Sequence, residues 1–98
     1  MFDKMKELME LKKKADQLKK ELEAMTIEIT EARGIKVVVN GAQYVKSIEI
    51  DESLLTPANK NRVQMDLVRS LNSAVKKAQV AAANKMRSMP GFNIPGLS

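Results

Sequence analysis

The chain is 98 residues long and carries 17 Lys and Arg against 12 Asp and Glu, a formal net charge of +5 at pH 7. It contains neither Cys nor His, which excludes disulfides, the preferred zinc ligands and the side chain that most often serves as a general base. This length suits one domain with a modest core, which oligomerisation would help to stabilise. No apolar run reaches the ~20 residues of a membrane span and the first residues lack a signal-peptide core, so we expect a soluble cytoplasmic protein.

Residues 1–25 have the spacing of a long amphipathic helix. The apolar residues recur in alternating steps of three and four, at Leu8, Leu11, Ala15, Leu18, Leu22 and Met25. This heptad pattern predicts a helix that seeks a helical partner, and its length of roughly 37 Å predicts that part of it projects beyond a small sheet. Lys6, Lys13 and Lys20 repeat every seven residues on the opposite face.

Residues 26–50 favour three strands in an antiparallel meander. Thr26–Arg33 alternates apolar and polar residues, and the Ile- and Val-rich runs Ile35–Val39 and Tyr44–Ile50 flank Asn40-Gly41. Asn-Gly between two such runs is typical of a hairpin, because both residues tolerate a positive φ. We expect a two- or four-residue loop, which would place on one apolar face Ile35, Val37, Val39, Tyr44, Ile48 and Ile50.

A second helix is predicted over residues 57–88, with Thr56 as its N-cap and Pro57 at its first position. One arc of this helix is apolar and consists of Leu67, Leu71, Ala74, Ala78, Ala82, Met86 and Met89. The opposite arc is basic and consists of Arg62, Arg69, Lys76, Lys77 and Arg87. The Pro/Gly-punctuated tail, residues 89–98, is either a disordered end or docks in a groove through Phe92 and Ile94.

The basic charge is concentrated at the C-terminal end. Residues 56–98 hold seven basic side chains against Asp66 alone, which indicates a polyanionic partner or a face kept soluble by charge. Only Phe2, Tyr44 and Phe92 are aromatic, too few for the stacking platforms of single-strand binders, so we expect double-stranded DNA. Charge placement alone nominates eight residues for phosphate contacts with weak sequence preference, Lys6, Lys13, Lys20, Arg62, Arg69, Lys76, Lys77 and Arg87.

The sequence contains few candidate catalytic residues. There is no Gly-rich phosphate loop and no nucleophile motif, and Asp51-Glu52 at a strand end is explained by a turn or cap role. We therefore expect a protein that is not an enzyme and that needs no cofactor or metal. Two other hypotheses compete with DNA binding: a scaffold or adaptor that docks a partner protein on the heptad helix, and a weakly inserting membrane-surface helix.

One stretch carries a specific resemblance. Val39-Asn40-Gly41, then Val45, then Ile48-Glu49-Ile50-Asp51 and Ser53-Leu54-Leu55, together with the MF start and the MPGFNIPGL ending, is similar to the YbaB/EbfC family of small bacterial nucleoid-associated proteins. The resemblance covers nearly the whole chain as a single domain.

The resemblance implies an α+β subunit of helix, three strands and helix. It also implies an intertwined homodimer whose helices project like tweezer arms and bind DNA. Members of the family are cytoplasmic, nucleoid-linked and non-enzymatic. No family motif identifies the side chains that contact DNA.

Overall fold

The chain forms a helix, a small three-stranded antiparallel sheet and a second helix, in that order along the sequence. The computed structural model describes residues 2–89, and the side chains described are those of residues 4–89. The elements are α1 (Phe2–Ala24), β1 (Ile27–Ile29), β2 (Ile35–Val39), β3 (Val45–Ile50) and α2 (Lys60–Ser88), with short 3-10 turns at Glu52–Leu54 and Pro57–Asn59. The predicted α+β class is confirmed. The tail beyond Met89 lies outside the described residues.

The sheet has the order β1-β2-β3, so β2 is the central strand. β1 is shorter than the predicted Thr26–Arg33, because the chain leaves the sheet after Ile29. Gly34 turns it back toward β2 with a φ of 84°, in the left-handed region that favours glycine. The Gly34 carbonyl accepts a hydrogen bond from the Asp51 N–H at 2.8 Å, which ties this turn to the end of β3.

The hairpin between β2 and β3 has a three-residue loop, Gly41 to Gln43, and the predicted two- or four-residue loop is wrong. The Asn40 N–H donates to the Tyr44 carbonyl at 2.9 Å and closes the loop. The Asn40 side-chain oxygen accepts from the N–H groups of Ala42 and Tyr44 at 2.9 and 3.0 Å. Gln43, rather than Asn40 or Gly41, has the positive φ, 67°. The Asn40 side chain thus satisfies the loop backbone in a turn followed by a left-handed residue.

This loop changes which residues of β3 lie on the same side of the sheet as α2. A register irregularity between Val38 and Val39 pairs Val39 with Val45, so Val45 takes the place predicted for Tyr44. Tyr44 is 68% exposed, and its predicted position on the apolar face is wrong. Ile48 and Ile50 lie opposite Val37 and Ile35 and so share the predicted apolar face, because beyond the irregularity the two-residue alternation resumes.

The core lies between α2 and the first two strands. The fully buried side chains of the sheet, Ile29, Val37 and Val39, face a helix surface made of Ala74 and Ala78. Alanine is small enough to let the helix approach the sheet closely, and each of these residues is at most 1% exposed. The predicted apolar arc of the second helix is therefore the face that packs on the sheet.

The opposite face of the sheet is polar and carries a cross-strand cluster. Lys36 on β2 lies 3.5 Å from a carboxylate oxygen of Glu28 on β1 and 3.9 Å from one of Glu49 on β3. These side chains are partly or largely exposed, so each pair contributes little energy on its own. Together they place one positive and two negative charges on the outer face.

A 3-10 turn precedes α2, and this corrects the predicted capping. Thr56 has an extended backbone, but its side chain makes no capping hydrogen bond, and the α-helix proper begins at Lys60 after the turn Pro57–Asn59. Asp51, in contrast, accepts a hydrogen bond from the Ser53 N–H at 3.1 Å. The capping role predicted for that carboxylate is confirmed.

Among the described residues, the contacts that attach α1 to the body lie in its last turns. The Gly41 N–H donates to the Leu22 carbonyl at 2.8 Å, and Lys85 of α2 lies 3.7 Å from Glu21. The molecule is 67 Å long, which exceeds the roughly 44 Å of α2. The first half of α1 therefore projects beyond the sheet, as predicted.

Gly41 is the closest approach between the hairpin loop and α1. A Cβ added at Gly41 would lie 2.9 Å from both the Leu22 carbonyl oxygen and the Met25 sulfur. We expect Gly41→Ala to destabilise the fold by about 1–3 kcal/mol, because the backbone of α1 must move. Urea unfolding at fixed protein concentration measures this. The matched control is Gln43→Gly in the same loop, which we expect to be neutral or stabilising because glycine adopts a positive φ freely; equal losses for both variants would contradict the prediction.

Candidate nucleic-acid interface

α2 presents a line of basic side chains to solvent on the side away from the sheet. Arg62, Arg69, Lys76 and Arg87 are all exposed, whereas Ala74 and Ala78 on the other side are buried. The helical repeat places the four basic residues within a narrow arc over roughly 37 Å of helix. That length is close to one turn of duplex DNA, about 34–36 Å.

α1 carries the second predicted line. Lys6, Lys13 and Lys20 are exposed, and their seven-residue spacing sets them roughly 10 Å apart along the helix. The line lies opposite the apolar residues that recur at heptad positions. In both helices the periodicity thus places the apolar residues on one face and the basic residues on the opposite face.

The structure brings the two basic lines together only at one end. Glu21 pairs with Lys85, so Lys20 and Arg87 belong to helix ends that lie side by side. Lys6 on the projecting half of α1 and Arg62 in the first turn of α2 lie toward opposite ends of the molecule. One chain therefore offers a long, interrupted basic path rather than a compact patch.

Two of the predicted contact residues already have acidic neighbours. Arg62 lies 3.4 Å from Asp66, one turn along α2, and Lys77 lies 3.8 Å from Glu31. In the part of the chain with described side chains, Arg69 and Lys76 lie within ion-pair distance of no carboxylate. Exposed pairs of this kind are worth at most about 1 kcal/mol, so a phosphate group can displace them.

Glu31 is the residue that sequence reasoning missed. It lies beyond the end of β1 and reaches α2, where its carboxylate accepts a hydrogen bond from the Ser73 hydroxyl at 2.8 Å and pairs with Lys77. Glu31 and Ser73 are 42 positions apart, and no local pattern joins them. Only the packing of α2 against β1 creates this contact.

Other kinds of site find little support in the described part of the chain. Among residues 4–89, no group of three or more His, Cys, Asp or Glu side chains could hold a metal ion. Within residues 2–89, neither helix has an apolar stretch long enough to cross a bilayer.

An elongated basic α+β chain with its cations on two helices has the features of a nucleic-acid-binding protein. The chain belongs to the YbaB/EbfC DNA-binding family, whose model matches residues 1–92, and the resemblance drawn from the sequence is confirmed. It is 34% identical over 98 residues to a nucleoid-associated protein of Syntrophobacter fumaroxidans, covering 98% of this chain and 89% of that protein. It is 35% identical over 95 residues to a nucleoid-associated protein of Pelotomaculum thermopropionicum, covering 95% and 90%.

Proposed function

We propose that the protein is a nucleoid-associated, double-stranded DNA-binding protein that acts as a homodimer in the bacterial cytoplasm. It binds mainly through phosphate contacts, with weak sequence preference and without enzymatic activity. The observation that carries the proposal is the exposed basic line of α2 on the side opposite its buried alanine face. The family and the names of the relatives support DNA as the ligand and the nucleoid as the location.

The physical basis of binding is counterion release. Each phosphate neutralised by Lys or Arg frees condensed cations, which supplies affinity without reading the bases. The proposed contacts are the eight residues named from charge placement: Lys6, Lys13, Lys20, Arg62, Arg69, Lys76, Lys77 and Arg87. Arg87 also lies in the last turn of α2, where a cation stabilises the helix dipole, so its contribution to DNA binding is the least separable from stability.

Dimerisation is proposed because one apolar surface is left uncovered. Val45 and Ile48 lie opposite the fully buried Val39 and Val37, yet they are 50% and 42% exposed because α2 covers β1 and β2. Next to this strand, the flank of α2 exposes Val68 and two further apolar side chains, Met65 and Val75. A second copy seated on this surface would bury both sets and bring four basic helices into one particle.

The dimer proposal is tested at Ile48. We expect Ile48→Glu to convert the dimer into monomer, because a charge would be buried against apolar side chains of the second copy. Light scattering gives the mass. The matched control is Ser47→Glu on the neighbouring residue, whose side chain points to the other face of the strand. A wild-type monomer, or a dimer that only Ser47→Glu disrupts, would exclude this surface.

The phosphate contacts are tested by salt dependence. If three or four of the eight residues in each subunit neutralise a phosphate, a dimer should show a log–log salt slope of roughly −5 to −7 in fluorescence anisotropy with random and defined duplexes. We expect the double variant Arg69→Glu with Lys76→Glu to weaken binding alike on all sequences and to reduce the magnitude of the slope by about 3–4.

The control for this pair is Arg33→Glu with Lys46→Glu, which changes the net charge equally but lies on the loop and sheet. If the two double variants lose the same affinity, total charge rather than the α2 line determines binding. A slope near zero for the unmodified protein would reject the proposal.

Glu31 is expected to weaken DNA binding, since it competes with phosphate for Lys77. We predict that Glu31→Gln raises affinity by a few-fold, within the ~1 kcal/mol that an exposed pair contributes. Glu49→Gln is the control, because it removes the same charge from a residue whose partner, Lys36, is not a proposed contact. Competition anisotropy at one salt concentration compares them, and equal gains would argue against a role for Lys77.

A second candidate function is a scaffold that binds a protein through α1. The observation in its favour is the exposure of Leu8 and Leu11 on the projecting half of the helix. A stoichiometric protein partner that survives nuclease treatment, together with absent DNA binding, would favour the scaffold over the DNA-binding function.

A further inference from the structure

The basic side of α2 also carries an apolar residue, Val80, whose side chain is 53% exposed. It lies in a shallow depression of the surface that is lined by Lys76, Lys77, Val80, Ala81 and Asn84. Lys76 is four positions and Lys77 three positions from Val80, so these side chains are neighbours on the surface of the helix. Two of the proposed phosphate contacts therefore adjoin an apolar side chain and an amide.

Neither the core nor the proposed dimer surface accounts for Val80. Among the buried residues of α2, Ala78 is the one nearest the C-terminal end. Five residues turn a helix by about 140°, so Val80 points away from Val75, which lies on the flank assigned to the second copy. Exposed valine is also a weaker helix former than alanine. Val80 is thus a candidate for contact with a ligand.

Asn84 lies one turn beyond Val80 on the same side of α2 and is exposed. Among the side chains of residues 4–89, that of Asn84 makes no hydrogen bond. Its amide can therefore donate to and accept from a ligand at the same time. The residues between Val80 and Asn84 are three alanines, which keep this turn narrow enough for the roughly 12 Å width of the major groove.

We propose that the turn from Val80 to Asn84 enters the major groove and reads A·T base pairs. Val80 contacts the methyl group of thymine, and the Asn84 amide binds the N6 and N7 atoms of adenine, the pairings that apolar and amide side chains make with base edges. The inference rests on the proposed DNA-binding function and adds which bases the protein prefers.

The spacing of the two residues suits neighbouring base pairs. Val80 and Asn84 are about 6 Å apart along the helix axis, and successive base pairs are about 3.4 Å apart. Lys76 and Lys77 precede this turn and Arg87 follows it, so phosphate contacts can hold the helix in the groove from both ends. Two base contacts per subunit beside these phosphate contacts agree with a preference that is weak rather than strict.

Replacing thymine by uracil tests Val80, because it removes the methyl group and leaves the base pair intact. We expect the wild-type protein to bind a uracil duplex about fourfold more weakly than the matched thymine duplex, the factor for one buried methyl group. Val80→Ala should bind the two duplexes equally, and its helix should be at least as stable. Gln79→Ala, at the neighbouring exposed residue outside the depression, is the control and should keep the fourfold ratio. Fluorescence anisotropy at one salt concentration measures these affinities.

Replacing adenine by 7-deazaadenine tests Asn84, because it removes the N7 acceptor alone. We expect this duplex to bind the wild-type protein about fivefold more weakly, the factor for one net hydrogen bond. Asn84→Ala should bind the modified and unmodified duplexes equally, and Gln79→Ala should retain the wild-type ratio.

The salt titration separates failure of this proposal from failure of DNA binding. Equal affinity of the wild-type protein for all four duplexes, with a steep salt slope, would overturn the base contacts and leave the phosphate contacts standing. Absence of binding to any duplex would reject both. A methyl effect that persists in Val80→Ala, or an N7 effect that persists in Asn84→Ala, would contradict the residue assigned to it.

Discussion

The contact between the alanine face of α2 and the central strand β2 determines which apolar surfaces of the molecule are covered and which remain open. Ala74 and Ala78 let the helix lie close to Val37 and Val39, and all four side chains are at most 1% exposed. A helix with its side chains is about 10–12 Å wide, and neighbouring strands are about 4.8 Å apart, so one helix covers about two strands. Because α2 packs on β1 and β2, the third strand remains open.

This partial cover explains why the monomer leaves so much apolar surface exposed. The inner side of β3 and the projecting end of α1 lie outside the reach of α2, and both carry side chains of the type found in cores. A chain of 98 residues with one covering helix cannot enclose all of them. The proposed dimer addresses the first of these surfaces, because a second copy would cover the open strand of the sheet.

Much of the fold could be predicted from the sequence because it depends on periodicity. The steps of three and four in α1, the buried arc of α2 and the alternation in β2 each identified an element and the face it buries. The hairpin loop could not be predicted in the same way. Asn40-Gly41 indicated the right place, but the choice of three residues depends on hydrogen bonds accepted by the Asn40 side chain, and that choice moved Tyr44 off the apolar face.

The basic faces of the candidate interface could also be predicted from periodicity, but their acidic neighbours could not. Helical spacing is sufficient to place Arg69 and Lys76 on an exposed line, since the opposite side of α2 is apolar. It could not show that Lys77 has Glu31 as a neighbour, because 42 or more positions separate Glu31 from the α2 residues it contacts. Nor could spacing show where the apolar residues of α1 become exposed, because that depends on where α2 ends and on its contact with Glu21.

The cluster of Glu28, Lys36 and Glu49 gives the molecule an electrical polarity. Its net charge of one negative unit lies on the outer face of the sheet, while the cations of α2 lie on the far side of the helix layer. For the proposed DNA ligand, this difference in charge favours approach to the helices over approach to the outer face of the sheet, over distances comparable to the Debye length. On the proposed function, this charge distribution biases the orientation of a duplex during the encounter, before any side chain touches it.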